Sequence, residues 1–263
     1  MTDQSLKEKD TEELLDDTEQ SWISHLIELR NRILAAAILL IVVFVCFSFV
    51  ANDIYTFFAD PLIRALPDGS SMIATKPHGP FFVPFKLAFF AALLVTLPFW
   101  FYQIWAYVAP GLYAHEKRLV FPLVASSTIL FYLGIIFAYF VVFPIIFSFF
   151  ANSAPDGVAV MTDISEYMSF ALKLFFAFGV AFEVPIATII LARVGVVSPE
   201  KMAEKRPYVF VGAFVLGMLM TPPDIFSQTL LAIPVWLLFE LGLFFAKRMT
   251  NKSPETDEEM TGS

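Results

Sequence analysis

"LVFPLVASSTILFYLGIIFAYFVVFPIIFSFFANSAP" (residues 119–155) runs for 37 positions without a charged side chain. A helix needs roughly 20 residues to cross about 30 Å of hydrocarbon. The stretch therefore reads either as one long helix followed by a loop or as two short spans bent at Pro144. Further apolar windows lie at 33–52, 87–114, 207–223 and 225–239, and a sixth, 167–191, is interrupted only by Lys173 and Glu183. The placement of Lys and Arg decides between the two readings. With one span at 119–155, segments 1–32, 106–118, 193–207 and 247–263 fall on the same side and hold 13 of the 17 basic residues. Arg64, Lys76, Lys86 and Lys173 stay opposite. Two spans would export the clusters Arg193–Arg206 and Lys247–Lys252, against the preference for basic loops on the cytoplasmic side. The expected fold is all-α and polytopic, with six transmembrane helices and both termini cytoplasmic.

Composition agrees: 58% hydrophobic, 31 Phe and only 16% charged, beyond what a soluble domain of this size carries. The formal charge of −8 arises largely in residues 3–19 and 255–259, which read as solvated, flexible tails and carry no information about a partner. This divides the chain into an acidic tail (1–20), a membrane domain (21–248) and a second tail (249–263). The single cysteine, Cys46, allows no intrachain disulfide. The first apolar run starts at Ile33 behind an acidic leader, unlike a cleavable signal peptide, so it is expected to be retained. Residues 52–70 have apolar positions at helical spacing, broken by Pro61, Pro67 and Gly69, and read as a cap over the outer leaflet. Residues 152–166 carry Asp156, Asp163 and Glu166 with no base. No internal repeat is evident, which speaks against repeat-built carriers.

Catalytic patterns are missing. His25, His78 and His115 all lie outside the apolar windows, and "HEKRL" (115–119) has Leu119 where a zinc-protease helix needs its second histidine. No Gly-Lys-Ser/Thr phosphate loop occurs. No enzyme activity, cofactor or metal is expected. What remains is polar chemistry at helix ends. "SWISHLIELRNR" (21–32) places Trp22, Leu26 and Leu29 on one stripe with Ile23 and Ile27 beside it, an amphipathic helix suited to the cytoplasmic interface. Glu28 and Arg32 are i,i+4 neighbours and read as a surface pair worth a few tenths of a kcal/mol. Glu116 reads as a solvated acid beside Lys117 and Arg118. Alternatively, the two carboxylates receive guanidinium groups, whose planar fork fits a carboxylate.

The motifs "SHLIELR" (24–30), "FYQIWAYVAPGLYAHEKR" (101–118), "FGVAFEVP" (178–185), "KRPYV" (205–209) and "MTPPDIFSQTLLAIP" (220–234) resemble those of the TatC family, the multispanning receptor subunit of the bacterial twin-arginine protein translocase. The resemblance runs from about Ser21 to Arg248. It implies a glove-shaped, concave six-helix bundle in the bacterial cytoplasmic membrane. It also implies recognition of signal peptides bearing paired arginines, and export of folded proteins driven by the proton-motive force. By the same resemblance Glu28 and Glu116 receive the arginine pair, with His25 and Arg30 contributing from the first motif. The implied partners are the single-span TatA and TatB proteins in an oligomeric receptor complex; no nucleic acid is expected. Lys173 falls outside the match and is expected to snorkel outward.

Glu183, in "FAFGVAFEVPI" (176–186), lies ten residues from Lys173, about 15 Å along a helix, so the two cannot pair within it. It reads as a satisfied core acid, as a polar lining of the concave cavity, or as a proton relay; the resemblance favours the cavity. The runner-up function is a proton-coupled carrier of a small solute, which would gather polar groups and broken helices at the midplane. A non-transport scaffold is the third. Arg206, Asp224 and Glu240 bracket the last two apolar windows, which both read as short spans joined by a turn at Pro222, Pro223 and Asp224. Ala213, Gly217 and Thr221 recur every four residues, a small-residue stripe that permits close helix approach. The stripe packs within the bundle or docks a partner span. By resemblance Met218, Thr221 and Gln228 lie at such a docking site.

Overall fold

The computed structural model describes residues 3–64, 73–112, 120–153, 163–221 and 224–250. Ten α-helices make up the described fold: α1 (Asp3–Ser48), α2 (Ala51–Arg64), α3 (Gly79–Leu112), α4 (Val120–Phe137), α5 (Phe143–Asn152), α6 (Ile164–Ala181), α7 (Val184–Arg193), α8 (Pro199–Glu204), α9 (Arg206–Met220) and α10 (Ile225–Thr250). The only strand-like pairing among the described residues is one isolated bridge, Ile73 to Asp163.

The decisive window forms a single rod over Val120–Phe150, long and apolar enough to cross a membrane. A π-helical turn, Ala138–Val142, joins α4 to α5. Pro144 follows it and cannot donate a backbone hydrogen bond, so the ladder is locally widened and the rod continues. Spans of sufficient length are also formed by Ser24–Ser48, Gly79–Val108, Ile164–Arg193 and Ile225–Met249. The sixth expected span is α9, whose 15 residues rise only about 22 Å.

Several boundaries differ from expectation. The backbone of α1 is helical from Asp3 to Ser48, a stretch that contains neither Gly nor Pro to stop a helix. Pro61 lies inside α2 without breaking it; Pro67 and Gly69 lie outside the described residues. The third helix begins before Lys86, because that ammonium donates to Ser169 Oγ at 3.1 Å. The tenth helix runs through Glu240 to Thr250, 26 residues and about 39 Å, so it is not short. Glu240 does not end it because Arg206 meets the carboxylate in bidentate fashion, at 2.6 and 2.8 Å.

The bundle packs α1, α2, α4 and α6 on α3, and α7 and α9 on α10. Lipid tails are as apolar as Leu, so close packing and small residues must hold such helices together. At the α4–α6 crossing Gly134 lies against the Phe178 carbonyl, and Gly179 lies under the Phe131 ring, whose atoms come within 2.5–2.8 Å of where a Cβ would stand. Phe143, Phe147 and Tyr167 pack in a row near the α5 end of the rod, with ring centroids 4.3 Å and 4.6 Å apart along it.

The segments before α3 and before α6 are fastened to each other. The Ile164 amide donates to the Ile73 carbonyl at 3.0 Å, the Thr75 amide to Asp163 Oδ2 at 2.7 Å, and Lys76 Nζ to Glu166 Oε1 at 3.0 Å. Asp163 also caps α6 by accepting from the Ser165 and Glu166 amides, as a carboxylate one residue before a helix does. Asp163 and Glu166 therefore have partners, including a base, that local sequence did not disclose. Bonds from the Thr75 hydroxyl and amide hold the Asp163 carboxyl below its ordinary range. Glu166 raises Lys76 above its own.

Candidate functional site

The Ser24–Ala35 stretch of α1 lies along α3, where an open groove of about 480 Å³ is lined by Ser24, Ile27, Glu28, Asn31, Arg32, Ala35 and Gln103. Helical spacing sets His25, Glu28 and Arg32 on one side of α1. The His25 ring meets the edge of Tyr107 of α3, centroids 6.5 Å apart. The Glu28 side chain is 43% exposed and Arg32 25% exposed. Arg32 donates from Nε (2.9 Å) and Nη2 (2.6 Å), both to Glu28 Oε1, and from Nη1 to Gln103 Oε1 at 3.2 Å. The i,i+4 pair is thus formed, and it is anchored to a second helix rather than free on the surface. Arg30 instead bonds its neighbour Asn31, so the structure does not bring it to Glu28. Glu116 lies outside the described residues.

Glu183 sits at a kink. Phe182 and Glu183 keep helical backbone angles, but the Glu183 amide bonds Val180, three residues back, and Pro185 in the first turn of α7 removes the next donor. Its Oε1 is buried without a hydrogen-bond partner among the described residues. The Ser127 hydroxyl of α4 lies within electrostatic reach and itself accepts from Trp105 Nε1 at 3.0 Å. The acid thus has beside it a neutral hydroxyl that is itself held by an indole, a grouping invisible to local sequence because the three residues come from distant stretches of the chain. Gln103 was also passed over, although a lone amide in the aromatic run "FWFYQIWAY" (99–107) was a usable signal.

On α9 the small-residue stripe faces inward. Ala213 is 2% exposed, Gly217 is buried with a Cβ position 3.3 Å from the Gln228 carbonyl of α10, and the buried Thr221 hydroxyl donates to the Gly217 carbonyl at 2.9 Å. The close approach that these residues permit is consumed between α9 and α10. The exposed face carries Val211, Val215, Met218 and Leu219. Asp224 caps α10 through Ser227 N at 2.6 Å; Pro222 and Pro223 lie outside the described residues.

Fold and site together define a polytopic helical membrane protein with a half-exposed carboxylate bordering an open groove between α1 and α3. The profile of the family described as "Sec-independent protein translocase protein (TatC)" matches residues 24–234. The Sec-independent protein translocase protein TatC of Escherichia coli K12 is 56% identical over 239 residues, covering 91% of this chain and 93% of that protein. Its namesake in Haemophilus influenzae is 55% identical over 91% of this chain and 94% of that one. A crystal structure of the twin-arginine translocase receptor TatC superposes with a TM-score of 0.78 at 36% identity, covering 86% of this chain and 99% of that one. The chain belongs to the TatC family, and it is a multi-pass protein of the bacterial cytoplasmic membrane.

Proposed function

We propose that the chain is the signal-peptide receptor and membrane core of a twin-arginine translocase, exporting folded proteins under the proton-motive force. The observation that carries this reading is the Glu28 carboxylate, half exposed beside an open groove, in a chain matching the TatC profile over 24–234. Glu28 and Glu116 together receive the paired arginines of a signal peptide, while residues 21–248 form the membrane domain and both termini face the cytoplasm. Single-span TatA or TatB partners dock on the exposed face of α9 around Met218, with Gln228 nearby. The oligomeric receptor assembles around these contacts.

The test is site-specific crosslinking of a twin-arginine peptide to the membrane-inserted chain. Replacing Glu28 and Glu116 together by Gln should abolish binding while insertion remains normal, and single substitutions should lose less. Retained crosslinking in the double variant sinks the clamp. Added salt should weaken capture of the arginines before it weakens apolar contacts made by the rest of the peptide.

A further inference from the structure

The carboxylate that the proposed receptor offers to a signal arginine already holds a guanidinium. Among the described residues both bonds to Glu28 come from Arg32 and both fall on Oε1. The third bond ties the same guanidinium to Gln103 on α3. Glu28 is 43% exposed and borders a groove lined also by Ser24, Ile27, Asn31, Ala35 and Gln103, so its pair with Arg32 is a half-exposed one, worth at most about 1 kcal/mol. Arg32 is the counter-charge that the chain itself supplies to Glu28. Gln103 gives it somewhere to remain afterwards, since the Nη1 bond does not depend on Glu28.

We propose that Arg32 is a built-in occupant of the Glu28 site, which hands the carboxylate to an incoming guanidinium and stays with Gln103. The proposal rests on the reading that Glu28 receives a signal arginine. Binding at this half of the site is then an exchange of one cation for another. Two consequences follow from the chemistry. The internal pair lowers the affinity of every cationic ligand by the same factor, so Arg32 sets how much a ligand must offer. Preference for arginine over lysine stays with the carboxylate, whose two oxygens match a planar fork. Because one charge leaves as another arrives, the exchange also flattens the salt dependence of binding. Arg32 is therefore a positioning residue that acts through Glu28.

A role confined to stabilising α1 predicts something else: losing the pair would weaken or leave unchanged both the helix and the binding, with no change in salt slope. The experiment titrates a labelled twin-arginine signal peptide against the full-length chain in lipid nanodiscs, at several salt concentrations, for the native protein and for R32Q, R32K and E28Q. With R32Q, affinity should rise about two- to five-fold, the range set by an ion pair of this exposure. The fall of affinity with salt should steepen, because a net negative site now captures the cation. A twin-lysine peptide should gain by the same factor. R32K, whose ammonium is a point charge without the fork, should gain less. If R32Q fails to insert, R32K carries the test with a gain of the same sign. Unchanged or weaker binding in R32Q and R32K, with binding weakened in E28Q, overturns the occupant and leaves the receiver intact. Native binding in E28Q overturns the receiver itself, and the occupant with it.

Discussion

Gly242 of α10 is the point where the helix carrying the Arg206–Glu240 pair touches the helix that begins at the Glu183 kink. A Cβ placed there would stand 2.8 Å from Pro185 Cα and 3.0 Å from Thr188 Cβ. Ordinary contact begins near 3.4 Å, so Gly242→Ala must move α7 and α10 apart by about 0.6 Å, and the nearest atom is backbone that cannot rotate away. Overpacking of this kind costs about 1–3 kcal/mol. Alanine also gains roughly 1 kcal/mol over glycine in helix propensity, so the single variant alone is ambiguous. Gly212→Ala on α9 removes the ambiguity, because nothing lies within 4 Å of its Cβ position while the propensity gain is the same. The difference between the two variants isolates the collision at about 1–3 kcal/mol. Unfolding in mixed detergent micelles, followed by tryptophan emission, measures it. Equal stability of Gly242→Ala and Gly212→Ala refutes the reasoning that glycine is required at this crossing.

Cysteine crosslinking along residues 210–221 should join a partner span at Val211, Val215, Met218 and Leu219 and not at Ala213 or Gly217, because the former are exposed and the latter buried; contacts at the buried pair instead would reverse the docking face. The fastening of the segments before α3 and α6 should be flat across neutral pH. Asp163 is depressed below its ordinary 3.8, so its contribution is present above that value and fades only as pH falls through the lower folded one. Lys76 is raised above 10.5, so its contribution is present below that value and fades as pH rises through the higher one. Hydrogen exchange at the Thr75 amide should report protection between these limits, and loss of protection near pH 6 would contradict the assignment. Glu183→Gln should impair export less than loss of Glu28 and Glu116, and Glu183→Leu should impair it more than Gln does. Complete loss of export in the Gln variant, with normal assembly and peptide binding, would make the acid a proton relay.

What the sequence disclosed and what it withheld separate along contact range. Membrane spans are legible because hydrocarbon thickness acts on each segment alone. Charges were misread wherever their partner is distant. Glu240 looked like the end of a helix because Arg206, 34 positions earlier, does not announce itself as its counterion. Asp163 and Glu166 looked unpaired because Thr75 and Lys76 lie 88 and 90 positions away. At the candidate site, Glu28 with Arg32 was legible as an i,i+4 pair and Gln103 was not. The stripe at Ala213 and Gly217 was legible as a close-approach surface, but spacing on one helix cannot say which neighbour uses it.

The kink at Glu183 is the one feature that favours a proton-coupled carrier, since such proteins place acids at interrupted helices. A carrier also needs ionisable groups that continue from that acid toward each face. Among the described residues, the rod Val120–Phe150, which brings Ser127 to Glu183, contains no Asp, Glu, Lys, Arg or His. The cation on Glu183's own span, Lys173, lies ten residues away, and Glu240 is already committed to Arg206. The backbone at the kink remains helical, so it offers no unwound carbonyls to bind an ion. Glu183 therefore has the Ser127 hydroxyl beside it, with no run of ionisable groups continuing from it along its own span or along the Val120–Phe150 rod.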